Sequence, residues 1–408
     1  MVRLSLASIA QVGVLAAAWG AQAATPTTLV IGGATSTQPL YTQEFGLFNQ
    51  QNPSTLLTYT GKSSGAGQTA FLTDDPTQLG LPPGGTVDIG TSENPLSTSQ
   101  ISGYARTASD GPLIQVPLQG APVTIPFNIK GVTKLTLNDD QLCGIFSGKL
   151  SNWRQVNASL SGQITVVYRS DSSGPSTVLL NHLARVCTAA NSSFPLPVNV
   201  SNYFAKTFAN GTVPSGAAKF LAAAPASDLQ AKLIATPGSI GYIAPDYTSI
   251  APSAAHASSL LVASLINGVN KVAYQPTVTN TALALASPGP GATNTAAPST
   301  AAAAAQPALW IPANPQPKAG YPLVAYSTWL ISSCYADKNK AAAIKLFLQD
   351  HYYNSQYVAL EAKNGYALLT NATGNLFANA VTSAFVTNAK GWNLSINNPV
   401  LCKGKVGR

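Results

Sequence analysis

From Val166 to Val178 the chain reads Val-Val-Tyr-Arg-Ser-Asp-Ser-Ser-Gly-Pro-Ser-Thr-Val. The apolar run Ile164 to Tyr168 reads as a buried strand, and an amphipathic helix resumes at Val178. A small-residue turn between them aims serine hydroxyls, free backbone N–H groups and the positive end of a helix dipole at one point. Arg169 adds a planar fork that grips tetrahedral oxyanions with two parallel hydrogen bonds. The chemistry this implies is capture of a phosphate-like anion. The plainer reading is a tight loop chosen for backbone geometry, with Arg169 paired to Asp171 at the surface.

Three further turns tip the balance toward an anion site. Leu29-Val30-Ile31 reads as a strand, followed by Gly32-Gly33-Ala34-Thr35-Ser36 and a helix through Tyr41, Phe45 and Phe48. Leu56 to Tyr59 runs into Gly61-Lys62-Ser63-Ser64-Gly65-Ala66-Gly67 and a helix near Gln68 to Leu72, and Val87 to Ile89 meets Gly90-Thr91-Ser92-Glu93. Strand, glycine- or serine-rich turn and helix form the repeating unit of a mostly parallel α/β sheet, and ligands gather at the carboxyl ends of such strands.

The elements that position these turns divide into two lobes. Residues 1–23 read as a signal peptide: Arg3, an apolar stretch from Leu4 to Trp19, then the small-x-small site Ala21-Gln22-Ala23. Residues 24–116 form the first part of lobe I. Leu113 to Phe127 is extended and apolar, but Pro117, Pro122 and Pro126 limit regular pairing, so it reads as a crossover into lobe II, residues 117–320. The Ala/Pro-rich stretch at about 280–320, with five alanines from Ala301, reads as a long loop with little to bury. Tyr321 to Ile331 returns to lobe I, residues 321–408, completed by helices around Lys340–Asp350 and Asn354–Lys363. Two crossovers between two α/β lobes suggest a hinge that closes over a ligand.

Composition narrows the class. The chain has few charged residues and a net charge of +8 with no basic run, which argues against nucleic acid. Four cysteines in an exported protein suggest two disulfides, and spacing favours Cys143–Cys187 and Cys334–Cys402. No two cysteines have zinc-ligand spacing and His182, His256 and His351 are scattered, so neither metal nor cofactor is expected. Gly61-Lys62-Ser63 is not a nucleotide P-loop, because Leu56 stands where the first glycine is required. Gly61-Lys62-Ser63-Ser64-Gly65 fits the G-x-S-x-G elbow of hydrolases, yet no histidine has a supporting neighbourhood.

In these blocks the chain resembles the periplasmic phosphate-binding protein of the ABC phosphate importer, and most closely its DING branch. The matching segments are Gly32–Tyr41, Gly61–Gly67, Val87–Ser97, Leu142–Trp153, the Arg169 turn, Gly241–Tyr247 and Ser333–Asp337, and both disulfide pairs fit the DING pattern. The resemblance implies a type II two-lobe substrate-binding fold, with mixed sheets flanked by helices and two hinge crossovers. It implies a monomer without catalysis, periplasmic or secreted, that captures inorganic phosphate for an ABC importer membrane complex or for scavenging. By position it carries phosphate contacts onto Thr35, Ser36, Ser64, Glu93, Arg169, Ser173 and Gly174, with Asp171 holding the Arg169 fork. The alternatives are the same fold around another oxyanion or a phosphorylated ligand, and an exported phosphatase-like hydrolase using Ser63 or Ser64.

Three residues or segments depart from the family. The Asp-Ile-Asn-Gly that names the branch is replaced by Thr28-Leu29-Val30-Ile31. Glu93 stands for an aspartate, moving the carboxylate by about one bond, roughly 1.5 Å. Pro175 stands for a threonine that donates through hydroxyl and N–H; Ser176 is the nearest residue able to compensate.

Overall fold

The structure, a computed structural model, describes residues 25–369 and 377–408. The expected signal peptide lies outside the described residues.

Among the described residues, thirteen strands form three sheets. They are β1 Thr27–Gly33, β2 Thr55–Gly61, β3 Ile89–Ser92, β4 Leu113–Pro122, β5 Pro126–Asn128, β6 Thr136–Leu137, β7 Thr165–Arg169, β8 Lys219–Ala223, β9 Ser239–Gly241, β10 Leu261–Val262, β11 Ser264–Ile266, β12 Ala273–Tyr274 and β13 Val324–Ser332. The first sheet runs β2-β1-β3-β13-β4, the second β10-β5-β9-β7-β8, and β12-β11-β6 is a small third. β1 lies parallel to β2 and β3, and β7 parallel to β8 and β9. The remaining neighbours within these two sheets are antiparallel, so both sheets are mixed and the fold is a two-lobe α/β fold.

Each parallel core strand is an apolar run because both its faces are covered. Leu29 and Ile31 of β1, Ile89 of β3 and Val166 and Val167 of β7 are fully or almost fully buried. Helix Gln38–Gln51 covers one face of the first sheet through Tyr41, Phe45 and Phe48. Phe347, from helix Lys338–Tyr353, stacks on Trp329 of β13 with centroids 4.8 Å apart.

Two expectations need correction. The run from Leu113 is a fully paired strand of the first sheet up to Pro122, so the lobe boundary expected between 116 and 117 falls inside β4. Its prolines are tolerated because β4 is the edge strand, and Pro117 sits where the register with β13 shifts between Ser327 and Thr328. The Ala/Pro-rich stretch is not a bare loop. It holds the helices Val278–Leu285 and Ala301–Ala304, and its Trp310 is wholly buried, donating to the Ala304 carbonyl at 2.8 Å and packing on Phe385. This insertion packs against β4 and β13 of the first sheet, and Pro315 also meets His182 of helix Gly174–Val186. One tryptophan supplied the apolar area that average composition hid.

The chain passes between the sheets at Val123–Ile125, where Val123 N–H donates to the Leu323 carbonyl and Thr124 exchanges backbone bonds with Ile243. Cys143 is bonded to Cys187, tying helix Asp139–Ser147 to the end of helix Gly174–Val186. Cys334 is bonded to Cys402 beyond β13. Among the described residues, no helix is long and apolar enough to cross a membrane.

Candidate functional site

Four turns at the carboxyl ends of β1, β2, β3 and β7 converge where the two sheets face each other. The β1 turn approaches β3 closely enough that only glycine fits at Gly33, whose φ is +146° and where a Cβ would collide with the Thr91 carbonyl. Beyond it Thr35 is 3% exposed and its hydroxyl has no hydrogen-bond partner. Ser36 donates its hydroxyl to Oε2 of Glu93, the residue that follows β3.

The β2 turn is the start of helix Ser64–Thr73. Ser63 caps it, accepting from Ala66 N–H at 3.0 Å, which gives the serine a structural task in place of a nucleophilic one. The Ser64 hydroxyl accepts from Glu93 N–H at 3.4 Å. No histidine among the described residues hydrogen-bonds to either serine: His182 meets Asp139 and the Pro315 carbonyl, His256 stacks on Tyr247, and His351 is buried beside Glu44. The elbow pattern therefore marks a helix cap here.

From the other sheet, Arg169 ends β7 at 2% exposure. Its Nε and Nη2 donate to the two Asp171 oxygens at 2.6 and 2.5 Å, leaving Nη1 for another acceptor. Asp171 thus aims the fork instead of forming a surface pair. Ser173 caps helix Gly174–Val186, accepting from Ser176 N–H at 3.5 Å, and Pro175 lies in the first turn. The Ser176 hydroxyl is 2.8 Å from the Tyr242 hydroxyl, which also accepts Arg169 N–H at 3.0 Å. Ser176 is thereby engaged with Tyr242.

The two halves touch across the site. A Cβ on Gly174 would overlap Glu93 Cβ, and one on Gly65 would overlap the Ser172 hydroxyl. Tyr247 donates to the Thr35 carbonyl at 2.8 Å across the site, while Tyr366, from the same half as Ser36, donates to the Ser36 carbonyl at 2.8 Å. Burial pushes the Glu93 carboxyl up to about 7, against the opposing pull of the Ser36 hydrogen bond and the Arg169 charge. Glu93 is thus poised near neutrality between accepting and holding a proton. A cavity of about 230 Å³ adjoins Glu93, lined also by Thr177, Asn181, His182 and Arg185.

Tyr242, Tyr247, Tyr366 and Asp246 carry no local sequence signal for a role here, because their contacts are with distant residues. The histidines are scattered in sequence, yet His351 lies with Glu44 and Glu361 in the core. Its Nδ1 faces both Glu44 oxygens at 3.1 and 3.2 Å, and Nε2 lies 3.7 Å from Glu361. Each of the three side chains offers one possible ligand atom, all within 4.8 Å of one another. The group is a buried ion-pair cluster.

A profile for the PBP superfamily domain matches residues 20–349. The chain belongs to this superfamily. Its PBP fold is similar to that of a phosphate-binding protein from Stenotrophomonas maltophilia, at 30% identity and a TM-score of 0.73, covering 94% of this chain and all of that one. A high-affinity periplasmic phosphate-binding protein, PfluDING, solved bound with phosphate, gives 30% identity and a TM-score of 0.77 over 94% of this chain and 99% of the other. A phosphate-binding protein from an unknown prokaryotic organism is 31% identical over 398 residues, 92% of this chain and 98% of that one. A Pseudomonas aeruginosa protein called alkaline phosphatase L is 33% identical over 353 residues, 85% and 86% of the two chains. Within the PBP superfamily the chain falls in the DING-like branch.

Proposed function

We propose that this PBP captures inorganic phosphate between its two lobes and has no catalytic role. The observation that carries the reading is the Arg169 fork, buried and locked by Asp171 with one nitrogen to spare, facing the Glu93 carboxyl and the unpartnered Thr35 hydroxyl. Thr35 and Ser64 would donate hydroxyls and the helix start at Gly174 a backbone N–H; Ser36 would have to turn its hydroxyl from Glu93, and the Ser173 N–H is already given to the Asn202 carbonyl at 2.8 Å. Hydrogen phosphate still carries a proton for a carboxylate to accept, whereas sulfate meets unrelieved repulsion. A site tuned to a ligand hydroxyl rejects the analogue lacking it by roughly 10⁴-fold.

In this reading residues up to Pro122 and from Val324 form one lobe, residues between them supply most of the other, and the crossover at Val123–Ile125 is the hinge. The protein is exported and passes phosphate to an ABC importer or holds it outside the cell. Phosphorus NMR of the ligand released by heating the purified protein tests this directly. Inorganic phosphate is the expected signal; its absence, with no phosphate binding by calorimetry, refutes the reading. A phosphomonoester is the second reading, favoured by the cavity beside Glu93, and the same spectrum separates the two. Hydrolysis of a chromogenic phosphate ester is expected to be nil, because Ser63 is used as a cap and Ser64 has no base.

A further inference from the structure

Asp246 lies beside the site and has no part in the reading above. It follows β9 on the single turn Pro245–Tyr247, is 0% exposed, and neither carboxyl oxygen has a hydrogen-bond partner. The groups that act on it are Glu93 and Tyr366, both on elements of the first sheet's lobe, and its own backbone N–H. Tyr366 sends its proton to the Ser36 carbonyl instead, and the neighbouring Tyr247, with His256 stacked on its ring, sends its own to the Thr35 carbonyl. The nearby Arg169 is paired with Asp171, and its charge acts on Glu93. Asp246 is therefore a wholly buried carboxyl with Glu93 and Tyr366 of the opposite lobe beside it and no cation paired with its charge. Such a group neutralises itself by binding a proton, and burial together with the charge on Glu93 drives its pKa well above the usual range.

We propose that Asp246 takes up a proton when the two lobes meet, so that anion capture is coupled to proton uptake at a residue set behind the anion-binding turns. The coupling rests on the phosphate-capture reading. With the lobes apart, Asp246 meets water and ionises near its ordinary pKa of about 3.9. With them together it is neutral. Closure thus binds one proton more than the open state holds, and affinity weakens as pH rises, by up to about tenfold per pH unit. Phosphate and Glu93 also titrate near neutrality, so the informative quantity is the difference between the parent and Asp246→Asn, which is near-isosteric and always neutral.

Calorimetry of phosphate binding at pH 8, in two buffers of different ionisation heat, counts the protons taken up. The parent is expected to take up more protons than Asp246→Asn, by up to one, and the ratio of their affinities to shift toward the variant as pH rises, by up to about tenfold per pH unit. Equal proton counts in the two folded proteins overturn the proposal. An independent measurement uses the parent alone: infrared difference spectra of ¹³C-aspartate-labelled protein, phosphate-bound minus phosphate-free, at pH 6, well above the ordinary aspartate range. A protonated-carboxyl band is expected on binding, and a flat difference spectrum overturns the proposal without any variant. Failure of the parent to bind phosphate at any pH removes the functional reading and this coupling together. Tight binding with no proton linked to Asp246 removes the coupling alone.

Discussion

Arg169 shows how much of the site depends on single side chains. Its Nε and Nη2 are spent on Asp171, so the fork is already oriented before any ligand arrives. Arg169→Ala should leave the fold intact and weaken phosphate binding by tenfold to several hundredfold, each charged hydrogen bond contributing roughly 1.5–3 kcal/mol; titration calorimetry measures it. Glu93 sets selectivity through its charge. Above about pH 7 it is ionised and repels sulfate, and below that it is neutral and can donate to it. Sulfate should therefore compete better with phosphate at pH 6 than at pH 8, and Glu93→Gln should erase the difference. Pro175→Thr should tighten phosphate binding, since it restores an N–H in the first turn of helix Gly174–Val186 and Ser176 is occupied with Tyr242. Unchanged affinity would mean that the anion has shifted away from that turn. The site's donors were readable from sequence because a strand-end serine or arginine next to a helix start advertises itself locally. Asp246, Tyr242 and Tyr247 were not, because their surroundings are assembled from afar: Tyr247 meets a carbonyl 212 residues away.

Elements matter here mainly through how closely their ends approach. The first turn of helix Gly174–Val186 rests its Gly174 against Glu93, and helix Ser64–Thr73 rests Gly65 against Ser172. Gly174→Ala should hold the two turns apart: phosphate affinity should fall at least tenfold while the melting temperature of the ligand-free protein changes little, as helical alanine is otherwise favourable. A fall in melting temperature without ligand would place the effect in the lobe itself. The strands around β1, β2 and β3 were legible from apolar runs ending in glycine and serine. β4 was not, because prolines ordinarily argue against pairing and the residue shift that accommodates Pro117 is a property of two strands together. The insertion was misread for a related reason, since average composition weighs alanine and proline and gives no special weight to one well-placed Trp310.

Across the whole molecule, the buried Glu44–His351–Glu361 cluster couples stability to pH. Attraction to the two carboxylates raises His351 to about 9 in spite of its burial, while burial lifts Glu361 to about 8 and Glu44 above its usual range. Groups whose pKa values rise on folding make the folded state bind more protons, so their contribution is present at low pH and lost as pH climbs through the raised values. Between about pH 6.5 and 9 the ligand-free protein should lose thermal stability steadily, and Glu361→Gln should flatten the slope. His351→Gln, which strands both acids, should cost about 3–5 kcal/mol in denaturant titrations at pH 7.

The hydrogen bond from Tyr247 to the Thr35 carbonyl spans the cleft without needing any ligand. At about 1 kcal/mol it multiplies the share of empty molecules that are already shut by roughly fivefold. An anion then has less rearrangement to drive, which strengthens apparent binding, yet the same bond slows its escape and lets vacant molecules imitate loaded ones. Tyr247→Phe should reverse all three effects, with the release rate, followed by stopped flow, rising while capture at low phosphate grows weaker. The hydroxyl of one tyrosine thus sets a compromise between retention and turnover.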